Sequence, residues 1–241
     1  MFGKYMLSEL KKYLYHKWLL IVMFIIAILI PIMVISLDSF IGEKDIMLMK
    51  SRLLRGFNFS QVGYIVLTAL YYGQEYQKSA LRTSLLCSPN RILFQIVKIC
   101  CNSLWTLLSL SITTIISILL LGVSSDASVS LENICELINS LIPAYCSTFE
   151  LTLITGSIVI ITKSTIAPIA IMTSMILGLG NILLQYGKFM KYLPVNSVMN
   201  GFMIKETSMY LSINTGLIVQ SIWCLSLLFI AGILFCRRCT R

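Results

Sequence analysis

The chain has 241 residues and a formal net charge of +9, with 57% hydrophobic and 12% charged residues and a mean hydropathy of +0.87. A soluble domain carries about 25% charged residues, so this composition excludes a water-soluble globular enzyme and makes the lipid bilayer the solvent. The basic excess falls on alternate loops, which reads as membrane topology and excludes nucleic acid as the partner.

The first 17 residues place Phe2, Tyr5, Met6, Leu10, Tyr13 and Leu14 at helical spacing, with Lys4, Lys11, Lys12 and Lys17 off that stripe. The pattern predicts a basic amphipathic helix in the inner membrane interface, drawn to anionic lipid headgroups. His16, the single histidine, falls in it as an interfacial residue. An uncharged run over 18–37 follows. About 20 residues at about 1.5 Å rise cross the roughly 30 Å hydrocarbon layer, so this run predicts a first span. It is too long for a signal-peptide core, and Ser36-Leu37-Asp38-Ser39-Phe40 offers no small-x-small cleavage site, so the span is expected to be retained.

Further uncharged runs cover 56–74, 99–125, 164–187 and 207–236, and a sixth, 137–162, is interrupted only by Glu150. The expected fold is all-α: a single polytopic membrane domain with six transmembrane helices near 18–37, 56–74, 99–122, 139–162, 164–185 and 211–235. With the N-terminus inside, the inner segments carry twelve basic and two acidic residues, and the outer segments seven of each. Positive residues resist translocation, so both termini are expected to be cytoplasmic. If 137–162 failed to cross, Arg237, Arg238 and Arg241 would face outward against that bias.

Between the second and third spans lies YYGQEYQKSALRTSLLCSPNRILFQIVK, from Tyr71 to Lys98. Residues 77–86 lack Gly and Pro, Leu81, Leu85 and Leu86 share a face, and Lys78 and Arg82 form a basic pair at i and i+4. Ser88 and Pro89 suit a helix cap and a first helical position, so they are expected to end one helix and start the next. The result is a short cytoplasmic helix pinned between two spans, able to dock on a soluble partner and pass movement into the membrane.

The series Gly73, Glu75, Tyr76, Leu81, Arg82, Thr83, Leu85, Ser88, Pro89, Arg91 and Lys98 resembles the permease subunits of type-2 ABC exporters, in the bacitracin-resistance and lantibiotic self-protection branch. Ser79-Ala80 stands where that branch usually has Gly-Thr. The resemblance covers the chain in architecture and the 73–98 stretch in motif. It implies a multi-pass protein of the bacterial plasma membrane whose cytoplasmic segment 75–98 couples it to an ATPase. Glu75, Tyr76, Lys78, Leu81, Arg82, Leu85, Pro89 and Arg91 would be the coupling residues. It also implies two copies of a separate ABC ATPase subunit, a second permease that is identical or homologous, and an amphipathic peptide substrate. The outer segment 188–210 would form short helices capping the outer mouth. Tyr186 just before it, and its Tyr192, Leu193, Pro194, Val195 and Phe202, are apolar enough to lie on or dip into the outer interface.

No GxxxxGK[S/T] loop occurs, since Gly180 and Gly187-Lys188 have the wrong spacing and context, so any ATP is expected to be used by a partner. No HExxH, GxSxG or paired intramembrane aspartates are found, so no catalytic, metal or cofactor residues are assigned and the chain is not expected to be an enzyme. Of the eight cysteines, Cys100, Cys101, Cys146, Cys224 and Cys236 fall in or beside apolar runs and read as small hydrophobes, and the Cys236/Cys239 pair lacks companions for a zinc site.

Glu150 is the one intramembrane polar residue singled out. It lies about 20 Å along the helix from Lys163, in the outer half of the membrane, and burying its charge there costs about 3 kcal/mol. A polar contact at a subunit interface or substrate path, and an outward-snorkelling or protonated side chain, both fit. The acidic stretch with Asp126, Glu132 and Glu136 reads first as a solvated turn and second as an attractor for a cationic peptide. The competing class is a stand-alone channel, ion-coupled carrier or assembly factor. A carrier should show broken helices near mid-membrane and paired ionisable residues, whereas Pro31 and Pro168 lie toward span ends and Glu150 has no ionisable companion.

Overall fold

The computed structural model describes residues 2–36, 46–77, 80–81, 84, 90–124 and 131–237, and among these there is no strand. The helices are α1 (Phe2–Tyr15), α2 (Lys17–Ser36), α3 (Ile46–Gly73), α4 (Arg91–Ser124), α5 (Leu131–Thr162), α6 (Ile166–Ser174), α7 (Gly180–Tyr186) and α8 (Ile213–Arg237). A 3-10 turn, Gln74–Tyr76, extends α3. A π turn, Met175–Leu179, joins α6 to α7, and two more 3-10 turns, Lys188–Tyr192 and Asn196–Phe202, lead toward α8.

Five helical stretches are long and apolar enough to cross a membrane: α2, α4, α5, the α6–α7 pair and α8. The protein is therefore all-α with the character of a multi-pass membrane protein. The second expected span, 56–74, is where charge and hydropathy disagree. Helix α3 covers it and runs ten residues further toward the N-terminus, but Ser60, Gln61 and Thr68 along it are all buried. Helix α3 packs against α2, α5 and α6, so its polar side chains meet protein instead of lipid and its sequence need not be strongly apolar.

Helix α5 packs against α3 and α8 at the centre of the bundle, with 67% of its apolar stretch buried against 17% for α8. The lipid-like surfaces lie elsewhere. Helix α2 exposes Trp18, Phe24, Ile28 and Ile32, and α8 exposes Ile218, Ile222, Leu225 and Phe229. A chain that leaves such large side chains outside is solvated by an apolar medium there.

Three details depart from the sequence reading. Helix α4 begins at Arg91, about two turns before the third uncharged run, and its cap is Asn90, whose Oδ1 accepts from Leu93 N at 3.2 Å. Ser88, read as the cap, and Pro89 lie outside the described residues. The fifth expected span is broken: Gly178 has φ 141°, a conformation that side-chain-bearing residues rarely adopt, and the helix is displaced there by the π turn. Neither Pro31 nor Pro168 announces this break, since both stay inside continuous helices.

The third detail concerns the outer segment. Asn196–Phe202 is buried throughout, while Tyr186 and Phe189 are more than four-fifths exposed, so only its second half dips into the bundle. Asn196 Nδ2 donates to the carbonyls of Gly180 and Met190 at 3.1 and 3.0 Å, and Asn200 Nδ2 to those of Thr207 and Leu211 at 3.1 and 2.9 Å. Two asparagine amides thus satisfy carbonyls that irregular backbone leaves open, which is what allows such a segment to be buried.

Candidate functional site

Helix α3 ends at Gly73, a position where the neighbouring turn leaves no room for a side chain. A Cβ on this residue would lie 1.6 Å from Thr165 Cγ2, in the turn between α5 and α6. That turn is itself tight, with Lys163 at φ 56° and Ser164 Oγ accepting from the backbone of Ile166 and Ala167 at 3.2 and 3.4 Å. The chain then makes its 3-10 turn and carries Glu75 back into the protein, where the residue is 4% exposed.

Glu75 is the centre of a buried charge cluster. Its Oε1 lies 3.0 Å from Lys98 Nζ at the start of α4 and 3.3 Å from Lys12 Nζ on α1. Its Oε2 accepts from Ser84 Oγ at 2.9 Å. Lys12 also donates to Ser84 Oγ at 3.2 Å and to Glu9 Oε1 at 2.6 Å, and Glu9 Oε2 accepts from Tyr71 OH at 3.1 Å. Two carboxylates and two ammonium groups balance, so the cluster is neutral as a whole. The ammonium of Lys98 also sits 4.9 Å from the ring centre of Tyr71 and 5.6 Å from that of Tyr72. Those π faces favour a desolvated cation.

Burial pushes the Glu75 carboxyl upward, but Lys98 and Lys12 outweigh it and hold the group below its ordinary range. For Lys12 burial pulls downward, and Glu9 and Glu75 reverse this, leaving the ammonium above its ordinary value. Both shifts favour the charged forms. Between Glu75 and Lys98, both buried, the pair is costly to break, about 3–5 kcal/mol for removal of one partner.

Aromatic packing continues the joint. Tyr13 is fully buried, stacks on Trp105 with ring centres 4.8 Å apart, and lies 5.1 Å from Tyr71. The buried face of α1 is therefore Tyr5, Met6, Glu9, Leu10 and Tyr13, packed on the protein, while Leu7, Leu14 and Tyr15 are left exposed. The apolar stripe read from the sequence is turned so that Leu14 faces out and Glu9 faces in.

Of the expected coupling residues, Glu75, Tyr76, Leu81 and Arg91 are described. Tyr76 and Leu81 pack against the core with Tyr72, Phe94 and Phe235 around them. Arg91 donates to the carbonyl of Cys236 at 3.3 Å, near the end of α8. Ala80, Leu81 and Ser84 have helical backbone. Lys78, Arg82, Leu85 and Pro89 lie outside the described residues. The four described members thus pack on the bundle, where α1, α3, α4, the α5–α6 turn and α8 meet.

Three residues the motif did not contain complete the cluster: Glu9, Lys12 and Ser84. Glu9 could have been found, because it is the one acid among four lysines in the first 17 residues and shares a helix face with Tyr5 and Tyr13 at i−4 and i+4. Ser84 carried no such signal.

Glu150 stands apart, about 18 Å along α5 from Thr162. Its Oε1 accepts from Ser221 Oγ on α8 at 2.5 Å, and its Oε2 is buried without a partner. Nearby, Gln220 donates to the Ser147 carbonyl and Gln61 to Ser147 Oγ, both at 3.2 Å, so a polar seam runs through α3, α5 and α8 at this level. Among the described residues no group of three His, Cys, Asp or Glu side chains is placed to hold a metal. Searches of protein-family models, curated proteins and solved structures each find no match to this chain.

Proposed function

We propose that the chain is the membrane-spanning permease subunit of an ABC exporter of the bacterial plasma membrane, crossing it six times with both termini inside. In this reading it protects against an amphipathic antimicrobial peptide such as a lantibiotic or bacitracin. Two copies of a separate ATPase subunit supply the energy, and a second permease, identical or homologous, completes the conduit. The observation that carries the reading is the tie between the 74–90 segment and the bundle through Glu75. A loop meant only to connect two spans has no need of a four-membered ion cluster, three of whose members are buried, joining it to α1 and α4. A lever does, because force applied to a floppy loop is lost before it reaches the membrane.

The division of labour also fits. No residue of the chain is assigned to ATP chemistry, and its large apolar surfaces suit a ligand that is itself partly dissolved in lipid. The break at Gly178 gives an ion-coupled carrier one of the features it would need. However, a side chain added at Gly178 would meet nothing within 4 Å, and Glu150 turns toward Ser221 on α8. The broken turn Met175–Leu179 carries no ionisable side chain of its own, so export remains the stronger reading.

The test is affinity purification of the full chain from its own membranes. A stably bound soluble ATPase with a P-loop, lost when Lys78 and Arg82 are replaced by Glu, supports export. Purification alone with undiminished protection of cells against the peptide supports a stand-alone protein.

A further inference from the structure

Most of the stripe that the sequence offers to the membrane is used by α1 against the protein: Tyr5, Met6, Leu10 and Tyr13 all pack on the core. A different face is left outward. Three rows run along it, each a pair two turns apart: Leu7 with Leu14, Lys4 with Lys11, and Ser8 with Tyr15. All six are exposed, and the lysine row lies between the other two. Only His16 separates α1 from α2, whose apolar stretch is long enough to cross a membrane and opens on the exposed Trp18. A helix joined so closely to a span lies at the membrane surface, the level where Trp and Tyr gather.

We propose that this outward face binds anionic glycerophospholipid of the leaflet at the α1 end, and that lipid seated there holds Glu9 and Lys12, on the inner face of the same helix, against Tyr71 and Glu75. Leu7 and Leu14 enter the acyl chains, Lys4 and Lys11 meet the phosphates, and Ser8 and Tyr15 face water. The preference for an anionic lipid follows from charge that the whole sequence fixes. The segments attached to this end of the bundle, 1–17, 74–98, 162–166 and 236–241, carry twelve basic residues and two acids, Glu9 and Glu75. Both acids are buried and paired with lysine, so neither is offered to a headgroup ammonium. One short helix thus has lipid on one side and the Glu75 cluster on the other, which makes the leaflet a partner of that cluster. The proposal requires α2 to cross the bilayer and does not require the chain to be a transporter.

The experiment is hydrogen–deuterium exchange of the full chain in nanodiscs of phosphatidylcholine, with or without phosphatidylglycerol. Phosphatidylglycerol is expected to slow exchange across 2–15 and across the 74–76 turn, and high salt to cancel the effect. A basic residue beside an anionic surface strengthens binding about fivefold, so the lysine row accounts for up to about 25-fold in protection. The Lys4→Gln, Lys11→Gln double variant should lose most of the slowing, and because both positions are exposed its buried face stays intact. The Lys188→Gln, Lys205→Gln double variant, changed at the other end of the bundle, should keep it. Equal exchange in the two bilayers, or slowing retained by the Lys4→Gln, Lys11→Gln variant, would overturn the proposal. Slowing of 2–15 with none across 74–76 would refute the link to Glu75. The full effect in a chain that proves not to move peptide would overturn the export reading and leave this one standing.

Discussion

Glu75 and Lys98 face each other at 3.0 Å, with side chains only 5% and 4% exposed, across the junction between the end of α3 and the start of α4. Lys12 reaches the same carboxylate oxygen from α1 at 3.3 Å. One buried carboxylate therefore holds three helices and, through Ser84, the segment between two of them. Because desolvated charges are tolerated only as a complete set, this arrangement fixes relative positions more than it adds net stability.

Removal of one member should be far more harmful than removal of a balanced pair. Lys98→Met leaves Glu75 and Glu9 sharing one lysine and is expected to cost about 3–5 kcal/mol. Adding Glu75→Gln restores neutrality, with Glu9 and Lys12 still paired, and should recover most of that loss. Thermal or denaturant unfolding of the four proteins in detergent gives the coupling energy directly. Additive losses would mean that the two residues do not interact.

The pH dependence has a definite sign on each side. Glu75 is held below its ordinary value of 4.5, so its contribution is complete above pH 4.5 and is lost as pH falls through the lower folded-state value. Lys12 is held above its ordinary value of 10.5, so its contribution is complete below pH 10.5 and is lost as pH rises through the higher folded-state value. Unfolding midpoints should therefore drop on acidification below pH 4.5, and Glu75→Gln should make that drop smaller. A drop of the same size in the variant would assign acid lability to other carboxylates.

Glu150→Gln removes a charge that costs about 3 kcal/mol at this depth while keeping an oxygen for Ser221 to donate to. The variant is expected to be as stable as the natural chain or more so. If it also protects cells fully against the peptide, the carboxylate has no part in transport. Protection lost with stability retained would place Glu150 on the substrate path.

Two native cysteines report topology. Cys135, near the start of α5, and Cys236, near the end of α8, are both exposed. Six spans with the termini inside place them on opposite sides of the membrane. In single-cysteine variants, an impermeant thiol reagent should reach Cys135 from outside in intact cells and Cys236 only after permeabilisation. Labelling of Cys236 from outside would require an odd number of crossings or, if Cys135 is then protected, an inverted orientation.

Helices α2, α4 and α8 were legible because a bilayer-length run without charge has few other uses, and α5 because Glu150 alone interrupts such a run. Helix α3 was legible for a weaker reason. It lacks charge over 56–74, yet its Ser60, Gln61 and Thr68 are tolerated only because neighbouring helices enclose them, a property of the bundle that no local pattern carries. The break at Gly178 was hidden because a single glycine in an apolar run reads as helix, and only its φ of 141° reveals otherwise. At the candidate site, Glu75 was found through a motif and was expected to meet a partner. Its inward turn depends on lysines 63 residues before it and 23 after it, a pairing set by packing. The burial of Asn196 and Asn200 was unreadable for a similar reason, since their amides are useful only against carbonyls that the fold leaves open.

The most direct test of the lever is peptide movement in vesicles that contain the chain, its ATPase and a labelled amphipathic cationic peptide. The account predicts ATP-dependent loss of membrane-bound peptide with the natural chain. With the Lys98→Met, Glu75→Gln double variant it predicts a complex that assembles and hydrolyses ATP but clears little peptide. Equal clearance by the double variant, or clearance by the chain with neither ATPase nor ATP, would contradict it.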